Sequence, residues 1–265
     1  MASTNEILIE QRGPVTLVTL NRPKVLNAFN QAMFQQFRTI ITAFGRDPKA
    51  RVLVISGAGK AFSSGEDLTE AQTLLIGEEN RQRAYEHVKM LQDITRLMVG
   101  TPKIIIAAIN GIAVGAGAEI AIASDIRIAS KSASFMFAEV KRGLFETNGV
   151  MYLLPRLVGS GRAMEWMLTG DKIKAADAHK AGLVTRLVGG RQLLKTALNL
   201  AEEIADNAPI PVSLVKRVLA RTYDVDLEAM LGLEVEAVME VLGSEDLTEG
   251  LKSFAEKRKP VYRGK

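Results

Sequence analysis

Between Ile104 and Ala123 the sequence is almost uninterruptedly apolar, and any fold must either bury this stretch or place it in a membrane. Its interruptions decide the matter. Asn110 and Glu119 lie within it, glycines stand at 111, 115 and 117, and Asp125 and Arg127 follow at once. A lipid-facing helix would carry a heavy penalty for Glu119. The stretch therefore reads as a buried strand from Lys103 to Ile109, a loop from Gly111 to Gly117 and a buried helix from Ala118 to Ala123. A continuous apolar strand followed by a helix is the signature of an α/β protein.

The flanking sequence repeats the theme. Ile7 to Glu10 and Val15 to Leu20, separated by Arg12-Gly13-Pro14, read as a hairpin that ends at Asn21-Arg22-Pro23. Apolar residues at helical spacing predict an amphipathic helix from Gln31 to Phe44, stopped by Asp47-Pro48. Arg51 to Ser56 is a short β-branched run, Ala61 to Asp67 a polar, glycine-bearing loop, Arg81 to Met98 a helix and Ile126 to Ala129 a strand. Beyond Ala175 the pattern becomes helical, over Ala175 to Ala181, Gly190 to Ala208, Pro211 to Tyr223 and Leu227 to Leu242. Pro209 and Pro211 mark a boundary between an α/β body, residues 1–208, and a helical C-terminal region, residues 209–265.

Composition removes several chemistries. The chain of 265 residues has no cysteine and two histidines, His87 and His179. Thiol nucleophiles and Cys-ligated metals are thereby excluded, and a multi-histidine metal site is close to excluded. No metal is expected. The N-terminus lacks a secretion-signal pattern, so a cytoplasmic location is expected. The net charge of +4 is mild, but Lys252, Lys257, Arg258, Lys259, Arg263 and Lys265 concentrate it at the C-terminus against Glu256 alone. A polyanionic ligand and a solvated tail both fit this.

Three familiar motifs fail. Gly115-Ala116-Gly117 lacks a glycine at position 120 for a dinucleotide fingerprint, Gly57-Ala58-Gly59-Lys60 lacks the spacing and the Ser/Thr of a phosphate loop, and no Gly-x-Ser-x-Gly occurs. Two loops after predicted strands remain. Ala61 to Leu68 offers small residues and an acidic anchor. Asn110 to Glu119 places Gly115, Ala116 and Gly117 at the start of an apolar helix, where free amides and the positive dipole end converge. Amides from both, aimed at one oxygen, would stabilise an oxyanion; tight turns needing glycine are the plainer alternative. Glu119 and Glu139 sit in apolar settings that raise a carboxyl pKa toward the range of general acid–base work. The plainer alternatives are a carboxylate complementing a helix dipole for Glu119, and a partner of Lys141 or Arg142 for Glu139.

Leu20 to Pro23 with Leu26-Asn27-Ala28, Ala61 to Leu68, Gly111 to Asp125, Phe137 to Gly143 and Phe254 to Pro260, in this order, resemble the enoyl-CoA hydratase/isomerase (crotonase) family. The resemblance implies a spiral of repeated ββα units with C-terminal helices that pack into a trimer or a dimer of trimers. It implies an acyl-CoA thioester substrate, with coenzyme A as part of that substrate and no separate cofactor. By position, the amides of Ser63 and Ala116 would form the oxyanion hole. Arg22, Lys24, Leu26, Ser64, Gly65, Glu66, Asp67 and Leu68, with Phe254 and Lys257 from this or a neighbouring subunit, would contact the CoA. Glu119 and Glu139 match the pair that holds the added water in hydratases, whereas isomerases of the family can use the second glutamate alone.

Two departures stand out. Ala116 replaces a glycine, and Leu144-Phe145-Glu146-Thr147-Asn148-Gly149 replaces a proline and glycines after Gly143. Glu146 is a candidate third acid–base group, or else a solvent-facing loop acid. Hydration of a 2-enoyl-CoA is the favoured activity. The alternatives are double-bond isomerisation or another crotonase-type acyl-CoA reaction, and a crotonase-fold protein that binds RNA or a partner. The scarcity of aromatic residues among the C-terminal charges argues against nucleic acid.

Overall fold

The computed structural model describes residues 5–75 and 77–265. It opens with an antiparallel hairpin, β1 (Ile7–Arg12) and β2 (Val15–Leu20), followed by helix α1 (Gln31–Arg46). The Asn30 side chain caps α1 by accepting from the Met33 amide at 2.7 Å, which satisfies one of the amides a helix start leaves unpaired.

Three turns of a spiral follow, each giving one long strand, one short strand and a helical return. The first is β3 (Val52–Gly57), β4 (Ala61–Ser63), α2 (Leu68–Leu75) and α3 (Arg81–Gly100). The second is β5 (Ile104–Ile109), β6 (Ile112–Val114) and α4 (Ala116–Ala123). The third is β7 (Ile126–Ser130), β8 (Ser134–Met136), α5 (Val150–Val158) and α6 (Ser160–Thr169). β9 (Ile173–Lys174), α7 (Ala175–Lys180) and β10 (Arg186–Val188) complete the body.

The long strands form one sheet, ordered β1-β2-β3-β5-β7-β10, and the short strands a second, ordered β4-β6-β8-β9. Parallel pairing of β3 with β5 and of β5 with β7, and of β4 with β6 and of β6 with β8, makes each turn of chain one layer of the spiral. Phe29, Phe34, Phe37, Phe62, Phe135 and Phe137 fill the core on one side of the long sheet. On its other side, Val54, Ile106 and Ile128 pack against α8 (Leu193–Ala205). Burial on both faces explains the unbroken apolar runs of β3 and β5.

The C-terminal helices are α9 (Pro209–Leu219), α10 (Leu227–Leu242) and α11 (Glu245–Ala255). Pro209 starts α9 at a position where its missing N–H loses no bond. Lys216 of α9 ties this region to the body: its Nζ donates to Met98 O and Lys103 O, each at 3.0 Å, and to Asp125 Oδ2 at 2.9 Å.

Several boundaries differ from expectation. The loops read over Ala61 to Asp67 and Gly111 to Gly117 each contain a three-residue strand, because β4 and β6 gain their order from pairing with each other rather than from local alternation. The central helix begins at Ala116 rather than Ala118. α8 spans 193–205 after a 3-10 turn, and α9 spans 209–219, where longer helices were expected. No helix among the described residues is long and apolar enough to cross a membrane, and Ile104 to Ala123 is divided among β5, β6 and α4.

Candidate active site

The N-terminus of α4 meets the end of β4. Gly117 makes this approach possible: a Cβ there would lie 2.6 Å from the carbonyl oxygen of Ser63 and 2.7 Å from its Cβ. Any side chain would force apart the backbones that carry the amides of Ser63 and Ala116. Ala116 occupies the first helical position, where an amide has no partner within the helix. The methyl group of Ala116 is buried in the core at this point. At the other end of α4, the buried guanidinium of Arg127 donates to the carbonyls of Ala121, Ile122 and Ser124. Burial lowers its pKa to about 10, so it stays cationic at neutral pH and satisfies the negative end of the helix dipole.

Asn27 fixes the other wall. Its backbone is left-handed, at φ 57°. Its Nδ2 donates to Ala58 O at 2.9 Å and Ala61 O at 2.8 Å, and its Oδ1 accepts from the Arg22 amide at 2.9 Å. Ser63 Oγ in turn donates to Asn27 O at 2.8 Å. The Ser64 amide donates to Leu26 O at 2.9 Å, which lays the turn bearing Lys24 and Leu26 beside the loop from Ser64 to Leu68.

Arg22 is tied into the structure: it pairs with Asp67 at 3.1 Å and Glu6 at 3.2 Å and donates to Ala28 O at 2.6 Å. Asp67 thus acts as the loop's anchor. Glu66 Oε1 lies 2.6 Å from His87 Nε2 on α3, a contact the sequence reading missed. Lys24, Leu26 and Leu68 are exposed. Phe254 is 88% exposed at the end of α11, and Lys257 follows it; neither makes a side-chain hydrogen bond or ion pair to the loop from Ser64 to Leu68 or to either glutamate. The basic tail is partly neutralised, with Arg258 held by Glu249 and Glu256 and Lys259 by Asp206.

The carboxyl groups gather beside the start of α4. Glu119 is buried in the first turn of that helix. Its Oε1 accepts from the amides of Thr147 and Asn148, at 3.5 and 3.4 Å, and its Oε2 from Asn148 Nδ2. Burial, then the charge of Glu139, raises its pKa to about 7 against the opposing effect of those bonds. Thr95 of α3 holds the same loop by donating to Asn148 O at 3.0 Å. Asn148 is a site residue the sequence reading did not identify, although Asn-Gly before a helix is a turn signal that would have singled it out.

Glu139 follows β8 in a 3-10 turn, Glu139–Arg142. The expected alternative, a pair with Lys141 or Arg142, does not form: Lys141 binds Asp171 at 2.8 Å and Arg142 donates to Ala138 O. Glu139 Oε1 instead lies 2.8 Å from where a Cβ of Gly115 would stand. Together with a φ of 48°, this reserves position 115 for glycine. Glu146 is 5% exposed, so the solvent-facing alternative is overturned: Phe145, 70% exposed, turns outward in its place. One oxygen from each of Glu119, Glu139 and Glu146 lies within 4.8 Å of the others.

A small cavity of about 10 Å³ adjoins Glu119, lined by Phe34, Leu91, Ile94, Thr95, Met98, Ala116, Ile120 and Asn148. It has room for about one water. Three carboxylates so placed could attract a hard cation. The arrangement suits proton transfer beside an oxyanion.

The sequence matches the family described as enoyl-CoA hydratase/isomerase over residues 10–265. It is 35% identical over 261 residues to the short-chain-enoyl-CoA hydratase of Clostridium acetobutylicum, covering 96% of each chain. It is 34% identical over 255 residues to the 1,2-epoxyphenylacetyl-CoA isomerase of Escherichia coli, covering 96% of this chain and 97% of that protein. The crystal structure of an enoyl-CoA hydratase from Bacillus anthracis superposes with a TM-score of 0.92 at 36% identity, covering 98% of this chain and 100% of that one.

Proposed function

This chain belongs to the enoyl-CoA hydratase/isomerase family, and on that footing we propose that it is an enoyl-CoA hydratase, adding water across the 2,3 double bond of a 2-enoyl-CoA thioester. The observation that carries this reading is the convergence of Glu119 and Glu139 beside the amide end of α4. The amides of Ser63 and Ala116 bind the thioester oxygen, and the α4 dipole favours the charge that develops there. Glu119 takes a proton from water as the oxygen bonds to the β-carbon. The double-bond electrons move into an enolate, and Glu139 gives its proton to the α-carbon.

The turn at Lys24 and Leu26 and the loop from Ser64 to Leu68 bind the CoA, with Arg22 and Asp67 holding that surface in shape. Beyond the CoA of its substrate the enzyme uses no cofactor and no metal. The chain acts as a homotrimer or dimer of trimers, and Phe254 and Lys257 reach the CoA of this or a neighbouring subunit. Support for assembly comes from α10, which buries none of its residues in this chain and exposes Leu227, Leu231, Val235, Val238, Met239 and Leu242. A nucleic-acid role is disfavoured by the ion pairs that occupy Arg258 and Lys259.

A second reading, isomerisation of an acyl-CoA, is favoured by one feature, the buried Glu146. The test is loss of the conjugated-thioester absorbance of crotonyl-CoA and of a longer 2-enoyl-CoA. Wild type is expected to hydrate, and Glu119→Gln and Glu139→Gln to lose about 10²- to 10⁴-fold in kcat. Full activity in both variants would refute the two-glutamate assignment, and isomerisation surviving in Glu119→Gln alone would favour the second reading.

A further inference from the structure

Three buried carboxyl oxygens in the site have no hydrogen-bond donor: Glu139 Oε2, Glu146 Oε1 and Glu146 Oε2. Glu146 is not loosely placed. Its loop is pinned at Asn148, whose carbonyl accepts from Thr95 and whose side chain donates to Glu119. The charged groups that act on Glu146 are Glu139 after β8 and Glu119 on α4. The cations next to Glu139 in sequence, Lys141 and Arg142, are engaged elsewhere.

Three ionised carboxylates cannot share so small a space without donors or cations, since each buried, unpaired charge is costly. A single proton placed between Glu146 and Glu139 supplies the missing donor to both groups and removes one charge.

We propose that Glu146 shares a proton with Glu139 through a carboxyl–carboxyl hydrogen bond, and that the pair forms a relay returning to Glu139 the proton it delivers to the α-carbon. The proposal rests on the assignment of Glu139 as the proton donor. In the cycle, water loses a proton to Glu119 and its oxygen bonds to the β-carbon; the α-carbon then takes the Glu139 proton. That delivery spends the proton the pair shared, leaving Glu139 and Glu146 both ionised while Glu119 holds the proton taken from water. The Glu119 proton then passes through Glu146 back to the pair, so that one water is consumed and the enzyme regains its starting protonation. Burial, followed by the neighbouring Glu139 carboxyl, holds the Glu146 carboxyl well above the usual carboxylate range, as a proton store at neutral pH requires. Glu146 acts through Glu139 and is a positioning residue.

The test is made on the intact protein in whatever assembly it purifies. Infrared spectra of wild type, Glu146→Gln and Glu139→Gln are compared at about pH 8, where ordinary carboxyls are ionised. The carbonyl stretch of a protonated carboxyl is expected in wild type and not in Glu146→Gln. Its absence from wild type, or its persistence in Glu146→Gln, overturns the proposal. The first of these needs no variant to fold.

In the hydration assay, a glutamine at 146 can donate to Glu139 but has no proton to pass. The alkaline limb of the Glu146→Gln profile is therefore expected to fall by about one pH unit or more, with partial recovery in Glu146→Asp. An equal loss at every pH would mark Glu146 as merely structural and overturn the relay. If wild type hydrates no enoyl-CoA, the hydratase reading fails, while the infrared result on the free protein still decides the shared proton.

Discussion

Replacing Glu119 by glutamine should make the protein more stable as well as inactive. The folded state holds this carboxyl at a pKa of about 7, against an ordinary 4.5, chiefly through burial and then through Glu139. A raised carboxyl pKa means that the folded protein binds the proton more tightly than the unfolded chain. Its contribution is therefore fully present below the unfolded value and is lost as pH rises through the folded one. Between those limits, ionising Glu119 removes about 3 kcal/mol of stability. Glutamine keeps the shape and never ionises, but it has one acceptor oxygen where Glu119 uses two, so it gives up either the Asn148 side-chain bond or the two backbone bonds. Glu119→Gln is expected to exceed wild type by up to about 3 kcal/mol at about pH 8 and by less than about 1 kcal/mol at about pH 5. For a chain of this size the larger figure is about 5–10 °C in Tm. Because assembly makes stability concentration-dependent, both proteins are to be unfolded at one concentration, by heat and by urea, across this range. A variant less stable than wild type at the alkaline end, or a difference that does not change with pH, would refute the reasoning.

Three further outcomes follow from the geometry. Gly117→Ala places a methyl 2.6 Å from Ser63 O; it should cost about 1–3 kcal/mol and lower kcat about a hundredfold by parting the two amides, as read by denaturation and steady-state kinetics. Asn148→Leu removes the side-chain donor from Glu119, so the acid limb of the pH–rate profile should move upward by up to about one pH unit. Lys216→Met leaves Asp125 and the carbonyls of Met98 and Lys103 without their shared ammonium, and denaturation should register a loss of about 3 kcal/mol with little change in KM.

The elements legible in the sequence are those whose order is local. The spacing of Phe34, Phe37, Ile41 and Phe44 sets α1, the apolar runs set β3 and β5, and the bounds of α10, Leu227 to Leu242, coincide with the pattern. The short sheet was not legible. Three-residue strands show no alternation, and β4, β6 and β8 exist because the spiral stacks them. The site divides in the same way. Glu119 and Glu139 declared themselves by being acids in apolar settings. The inward turn of Glu146 depends on Phe145 taking the outward position and on Thr95 and Asn148 pinning the loop, which are contacts between segments far apart in the chain. The pairing of Arg22 with Asp67 and Glu6 is visible only in three dimensions.

The oxyanion hole and the glutamate pair are tested together by a crystal structure of the protein with a saturated acyl-CoA or an enolate-mimicking CoA thioester. The thioester oxygen is expected at about 2.7–3.1 Å from the amides of Ser63 and Ala116, with the carboxyls of Glu119 and Glu139 facing the β- and α-carbons. A thioester oxygen bound away from those amides, or an acyl chain that does not pass between the two glutamates, would contradict it.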